Sequence, residues 1–305
     1  MGFDGGGTKT DCVLMNETRA ILARTRSGPS NPTRVGLETA IATLLRATDK
    51  ALLASGKSPV DIASICGGIA GAGVSGTLPR FVQELRKKFG NALVSVNSDL
   101  NMALAASGDP PSLAVIAGTG SAVIGRDAAG NLAREGGLGP ILGDPGSAYD
   151  IGRRAVVHEL RGSQTARSSA VSKEILSLFR CDWVELQEQI RIDPDSVLPK
   201  IFPIVTKTAS EGDISAQAIL RSAAEELSEL VTRVVQALKL QSESFFLAKI
   251  GGVFGRSEFF DAPFDANVRK FAPKAKIAPL PTPIAEFAAL SALKCLDSPA
   301  VDRGK

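Results

Sequence analysis

Hydrophobic and polar positions change period along this chain, and the changes mark its elements. Met1-Gly2-Phe3 reads as strand, and the alternating run Cys12-Val13-Leu14-Met15 reads as strand again. The stretch between them, Asp4-Gly5-Gly6-Gly7-Thr8-Lys9-Thr10, is therefore the tip of a hairpin. Met1 to Phe3 leave little strand before that tip, which predicts either a trimmed first strand or a start further upstream. Ala20 to Thr25 predicts a third strand. A helical period then runs from Leu37 to Ser55, with Ile41, Leu44, Leu45 and Leu52 on one face and Gly56 as its stop. Ala63 to Ile69 is a buried strand leading into Gly71-Ala72-Gly73, and Thr77 to Phe89 is a second amphipathic helix. Leu93 to Asn97 is a strand ending in Ser98-Asp99, with a short helix from Leu100.

After a proline-rich boundary at Ser107 to Pro111 the pattern starts again. Leu113 to Ala117, Gly118-Thr119-Gly120 and Ser121 to Ile124 repeat the strand, glycine turn and strand of the opening. Two such hairpins, about 110 residues apart, predict a duplicated α/β domain with phosphate held between the copies. The predicted boundaries are residues 1–110, completed by a C-terminal helix at 283–298, and residues 111–282 with a helical insertion. Within the second copy, Asp127 to Asn131 is a turn, and Gly136 to Ser147 is an irregular loop feeding a helix from Ala148 to Leu160. Ser163 to Leu240 is helical text, broken near Asp193-Pro194 and Gly212. It ends in a long helix through Ile219, Ala223, Leu227, Leu230 and Val234, whose Glu225, Glu226 and Glu229 read as a solvated face. Phe245 to Ile250 is a strand entering the turn Gly251-Gly252-Val253-Phe254-Gly255.

The 305 residues suit two domains. A net charge of +3 without a long basic run argues against nucleic acid or an anionic membrane surface as partner, and leaves room for a small anionic ligand. No apolar run approaches the ~20 residues that span a bilayer, and the chain opens on no signal peptide, so a cytoplasmic location is expected. Cys12, Cys66, Cys181 and Cys295 form no CxxC pair and read as reduced core residues. His158 is the single histidine, which excludes a multi-histidine metal site, and its place on a predicted helix favours a structural role.

Three glycines in a row let several N–H groups turn toward one point without Cβ obstruction, the geometry of a phosphate cradle. Thr8 and Lys9 add a hydroxyl and a charge, and Asp4 could hold a hydrated Mg²⁺. The spacing is neither that of a Walker A loop nor that of GxGxxG opening a helix. Asp99 stands at the carboxyl end of a strand, where open α/β sheets place ligands; capping the following helix is its alternative use. The turn at Gly251-Gly252 suits packing against a flat ring such as adenine.

Six motifs stand in register along nearly the whole chain: DGGGTKTD at Asp4 to Asp11, SNP at Ser30 to Pro32, SD at Ser98-Asp99, AGTGS at Ala117 to Ser121, GDPGSAYDIG at Gly143 to Gly152, and GGVF at Gly251 to Phe254. Together they resemble the N-acetylglucosamine kinase and BadF/BadG-type ATPase family of the actin, hexokinase and Hsp70 superfamily. The resemblance implies an α/β fold of two ribonuclease-H-like (actin-like ATPase) domains with an interdomain nucleotide cleft. It implies an ATP-dependent kinase of an amino sugar such as N-acetylglucosamine or glucosamine. Gly5, Gly6, Gly7, Thr8 and Lys9 would form the first phosphate loop, Gly118, Thr119 and Gly120 the second, and Gly251 and Gly252 the adenosine turn. Asp4 would organise Mg²⁺, Asp99 would be the general base, and Asn31, Gly143 and Asp144 would meet the sugar. In the animal kinases of the family an aromatic residue closely follows the asparagine, where Pro32-Thr33-Arg34 follows here, and tryptophan stands where this chain has Leu138; both put the sugar in doubt. Oligomeric state stays open, a homodimer included. An ATPase that activates a radical acyl-CoA dehydratase or reductase, and a non-catalytic sugar- or nucleotide-sensing protein, remain alternatives; the scattered cysteines give no cluster signature for the former.

Overall fold

Short buried runs build the central strands and 3.6-period residues the helices, and the computed structural model describes residues 1–73, 76–163 and 169–297. The strands are β1 (Gly2–Gly5), β2 (Thr10–Met15), β3 (Ile21–Ser27), β4 (Ser64–Ile69), β5 (Leu93–Ser98), β6 (Ser112–Ala117), β7 (Ser121–Arg126), β8 (Leu132–Gly136), β9 (Phe246–Ile250) and β10 (Lys276–Pro279). The helices are α1 (Pro32–Val35), α2 (Leu37–Ser55), α3 (Thr77–Phe89), α4 (Asp99–Ala106), α5 (Ala148–Ser163), α6 (Ala170–Phe179), α7 (Trp183–Ile192), α8 (Pro194–Val197), α9 (Phe202–Ser210), α10 (Ile214–Ala237), α11 (Glu258–Phe271) and α12 (Ile284–Asp297).

The chain divides into two units, Met1–Ala106 with the segment from Leu280 onward, and Ser107–Pro279. In the first, five strands run in the order β3-β2-β1-β4-β5, with β1 antiparallel to β2, β2 antiparallel to β3, and β1, β4 and β5 parallel. In the second the order is β8-β7-β6-β9-β10 with the same directions, strand for strand. An antiparallel hairpin edge joined to parallel strands, with helices on the faces, is the ribonuclease-H-like arrangement, and here it occurs twice.

Each unit has its own core. Phe3, Leu44, Ile65, Ile69, Phe81 and Leu85 fill the first. The larger second core gathers Leu113, Val123, Ile151, Ile175, Leu220, Val234, Leu247 and Phe260. Helix α12 returns to the first unit and packs Ala285 and Ala289 against Val13 and Met15 of β2. Gly56 takes the left-handed conformation (φ 66°) and closes α2 by donating to Leu52 and Leu53 carbonyls, the stop read from sequence.

Three elements differ from the expected pattern. β8 fills the stretch between the predicted turn and loop to which the sequence assigned no element; it is an edge strand with two of its five residues exposed. β10 is four residues ending in proline. α11, in a stretch to which the sequence assigned no element, carries Pro263 inside the helix. The cysteines also differ from expectation: Cys12 and Cys66 are buried, with the Cys12 thiol pushed up to about 12 by burial, whereas Cys181 is half-buried and Cys295 exposed. Among the described residues no helix is long and apolar enough to cross a membrane.

Candidate functional site

In the first unit, register decides which side chains meet. Asp4 lies in β1 opposite Asp11 of β2 on one side and Gly68 of β4 on the other. A Cβ at Gly68 would lie 2.9 Å from Met102 Cγ and 3.1 Å from Asp99 Cα, so glycine there lets the start of α4 close over the sheet beside Asp4. The helix is capped by Ser98, whose Oγ accepts from Asn101 N at 3.2 Å; the cap that sequence offered to Asp99 belongs to its neighbour. Asp4 consequently titrates at about 7, raised by burial first and then by the charges of Asp99 and Asp11, with Lys9 pulling the other way.

The glycine tip closes on itself through Gly6 N to Lys9 O at 2.8 Å. Lys9 pairs with Asp11 at 2.9 Å, and Arg26 grips the same carboxylate at 2.5 and 3.1 Å, so Asp11 stays well below the usual carboxylate range despite partial burial. Behind the tip lies the segment 28–34. Ser30 N donates to Gly6 O at 3.1 Å, Arg34 Nη1 to Gly7 O at 2.8 Å, and Thr10 Oγ1 donates to Gly28 O at 2.8 Å and lies within hydrogen-bond distance of Ser30 Oγ, also at 2.8 Å. Asn31 caps α1: its Oδ1 accepts from Thr33 N at 2.9 Å and Thr33 Oγ1 at 2.7 Å, leaving Nδ2 as the amide's donating end, and the amide lies against Gly71.

The second unit is built alike. Gly118 N donates to Gly120 O at 2.9 Å, closing the tip. Ala148 N, at the start of α5, donates to Gly118 O at 2.8 Å, and Ser121 Oγ donates to Pro145 O at 2.7 Å, which ties the tip to the loop 143–147. Asp144 sits on that loop with φ 58°, is 5% exposed, and its Oδ2 lies where a Cβ of Gly120 would be. Its Oδ1 has no hydrogen-bond partner among the described residues. Burial pushes the carboxyl up to about 6, against the opposing pull of nearby backbone N–H groups of Gly139, Ser121 and Gly137. The loop is braced by buried Asp150, which accepts from Gly146 N at 3.0 Å, Arg153 at 3.0 Å and Arg154 at 2.8 Å; Arg154 in turn bonds Ser222 and Glu226. Glu226, read as part of a solvated face, is thus an ion-pair partner. A cavity of about 580 Å³ backs this loop, lined by Leu138, Gly143, Tyr149, Arg153, Glu226 and Arg233 among others.

Gly251 (φ 108°) lies against the Ala117 carbonyl, which accepts from Val253 N at 3.0 Å. The turn 251–255 is therefore seated on the strand that enters the second tip. Lys249, 10% exposed on its side chain, bonds Asp265 at 3.0 Å and Asp261 at 3.3 Å, and Asp261 also accepts from Gly255 N at 2.8 Å. Phe254 packs edge-on to Phe260 and Phe264 at 5.8 and 5.2 Å between ring centres.

Within the first unit the structure brings together Asp4, Gly5, Gly6, Gly7, Thr8, Lys9, Asn31 and Asp99. Within the second it brings together Gly118, Thr119, Gly120, Gly143, Asp144, Gly251 and Gly252. Sequence reasoning missed Ser30 as the seat of the first tip, Arg34 as its brace, and the Asp150–Arg154 and Lys249–Asp261 pairs. A lone lysine in the apolar run Phe245 to Ile250 is the one signal that could have found a pair, since a buried charge demands a partner. His158 lies half-exposed on α5, 3.2 Å from Glu159 Oε1. Among the described residues no group of three or more His, Cys, Asp or Glu side chains forms a metal site. Mg²⁺ does not need one, because it is commonly held through one or two carboxylates plus substrate phosphates, and the carboxylate of Asp4 at the first tip is of the type such a site uses.

The chain is similar to several known proteins. The chain is 28% identical over 283 residues to the N-acetylmuramic acid/N-acetylglucosamine kinase of Clostridium acetobutylicum, covering 91% of this chain and 92% of that protein. It is 28% identical over 293 residues to the N-acetyl-D-glucosamine kinase of Dictyostelium discoideum, again covering 91% and 92%. A solved structure from Chromobacterium violaceum matches with a TM-score of 0.75 over 95% of this chain and 96% of its own, at 24% identity, a likeness of fold. Residues 1–288 match the model of the BadF/BadG/BcrA/BcrD ATPase family. With two ribonuclease-H-like units, a glycine tip in each, and a family match over nearly its whole length, the chain belongs to the BadF/BadG/BcrA/BcrD ATPase family.

Proposed function

We propose that this chain is an ATP-dependent kinase of an amino sugar, with Asp99 as general base. The observation that carries the reading is Asp144. A carboxylate that is 5% exposed, held at positive φ and left with an unpartnered Oδ1 costs folding free energy, and a ligand that brings hydroxyl or amide donors offsets that cost. A sugar brings such donors. Asn31, whose amide nitrogen is its donating end, suits a hydroxyl or carbonyl oxygen of a sugar. The names of the two curated relatives point to amino sugars, and one of them includes an acidic sugar.

Phosphoryl transfer asks for positioning and charge stabilisation. The tips at Gly5 to Lys9 and Gly118 to Gly120 offer N–H groups and hydroxyls to phosphate oxygens, Gly251 and Gly252 the backbone on which a purine lies flat, and Asp4 a ligand for Mg²⁺. When bound, Mg²⁺ neutralises charge on the phosphates. Asp99 takes the proton of the attacking sugar hydroxyl, and its share of the rate is about 10² to 10⁴.

The test is ADP release with N-acetylglucosamine, glucosamine, N-acetylmuramic acid and glucose offered separately, on the wild type and Asp99→Asn. Sugar-stimulated turnover that falls by about 10² to 10⁴ in kcat in the variant, with nucleotide affinity kept, is expected. Turnover indifferent to every sugar would favour the ATPase-activator reading and overturn this one.

A further inference from the structure

We infer that Arg34 is a positioning residue for the first phosphate tip: by holding the Gly7 carbonyl from behind, it aims the next N–H toward the nucleotide. The inference rests on the ATP-kinase reading above and concerns a residue that contacts neither sugar nor phosphate in it. In a trans peptide the C=O of one residue and the N–H of the next point in opposite directions across a single plane. Ser30 N anchors Gly6 O at 3.1 Å, which directs Gly7 N–H to the opposite face. Arg34 Nη1 anchors Gly7 O at 2.8 Å, which directs Thr8 N–H the same way. Two successive carbonyls held on one side give two successive N–H groups on the other, the concave arrangement that receives an anion.

Glycine is the reason such a brace is required. Gly6 and Gly7 have no side chains to resist rotation of the peptide planes, so an unbraced tip samples orientations that turn a carbonyl toward the phosphate. Arginine suits the task because its guanidinium stays charged at every working pH and its planar fork keeps donor direction. Its own place is fixed by α1, where Arg34 N and Val35 N both donate to Asn31 O at 3.1 Å and the Asn31 side chain caps the turn. The brace thereby links the candidate sugar residue Asn31 to the tip through four residues of chain.

The test compares wild type, Arg34→Met and Arg34→Lys in the full-length enzyme. Arg34→Met is expected to lose about 10- to 100-fold in kcat/KM for ATP at saturating sugar, the effect of one charge-assisted hydrogen bond, while KM for the sugar changes less than about twofold. Arg34→Lys, which keeps charge and a donor without the fork, is expected to recover part of the loss. Hydrogen exchange gives a readout independent of turnover: ADP with Mg²⁺ should protect residues 6–9 in the wild type and fail to do so in Arg34→Met. Retention of kcat/KM for ATP within threefold, a loss confined to the sugar KM, or undiminished ADP protection would each overturn the inference. A wild type whose turnover ignores sugar would instead overturn the kinase reading, and the ADP protection arm would still decide the role of Arg34.

Discussion

The two units share a strand order and a glycine tip but brace their tips by different means. In the first, a side chain shares the task with main chain: Arg34 of α1 reaches Gly7 O through its guanidinium, and Ser30 N reaches Gly6 O from the loop before it. In the second, main chain does it: Ala148 N holds Gly118 O and Val253 N holds Ala117 O. A duplicated fold can therefore hold its glycine tip through a replaceable side chain or through main-chain N–H groups that only proline would remove. The first tip should be tunable by point mutation with little effect on stability. The second should be sensitive only through whatever holds the loop that carries its donors.

The sharpest break of that comparison is Asp150→Ala. Asp150 is 6% exposed and holds Gly146 N, Arg153 and Arg154, the last also tied to Glu226, so its loss leaves a half-buried guanidinium short of a partner and unpins the loop behind Asp144. About 3 kcal/mol of stability should go, read as a Tm lower by roughly 10 °C. Arg34→Met should leave Tm within about 3 °C. Equal drops in the two variants would end the distinction between a functional brace and a structural one.

A second comparison is between the two raised carboxyls. Asp4 is raised by burial and by its neighbours Asp99 and Asp11, Asp144 by burial without an acidic neighbour. Both bind a proton more tightly folded than unfolded, so both contribute stability that is present below about pH 4 and is lost as pH rises toward 6 for Asp144 and 7 for Asp4. The ligand-free protein should lose on the order of a few kcal/mol across that window from these two groups. Asp4→Asn should flatten the upper part of the slope, and Asp144→Asn the lower. Asp99→Asn should shift the Asp4 titration downward and leave that of Asp144 in place, measurable by thermal melts at half-unit pH steps. A downward shift of both would mean that the two carboxyls share an electrostatic environment.

Much of this was legible because periodicity and glycine spacing are local properties. The helix from Leu37 to Ser55 and the strand from Leu93 follow from which positions are apolar, and the repeat of strand, glycine turn and strand at Leu113 announced the second unit. Asp99 was visible as a carboxylate at a strand's end, and the hydrogen bond from Asn101 N to its neighbour Ser98 was not. Long-range partners were not visible. Arg34 and Gly7 are 27 residues apart and Arg154 and Glu226 are 72 apart, and nothing in either stretch of sequence names the other. Edge strand β8 and the proline-bearing α11 were hidden for a different reason: their stability comes from the neighbours they pack against, while their own residues carry a weak pattern.

The smallest expected effect is also the most selective. Ser121→Ala removes a side-chain hydrogen bond that joins the second tip to the Asp144 loop, Oγ to Pro145 O at 2.7 Å, while the backbone bond from Ala148 N to Gly118 O remains. The serine is 3% exposed, so the Pro145 carbonyl loses a buried donor at a cost of about 1 kcal/mol. If backbone braces the second tip, kcat/KM for ATP should fall less than about fivefold, well short of the loss expected for Arg34→Met, and the change should appear mainly in KM for the sugar because Asp144 is one residue from the freed carbonyl. A loss in ATP use as large as that of Arg34→Met would show that the second tip also depends on a side chain, and that the two copies of the fold solve the problem in the same way.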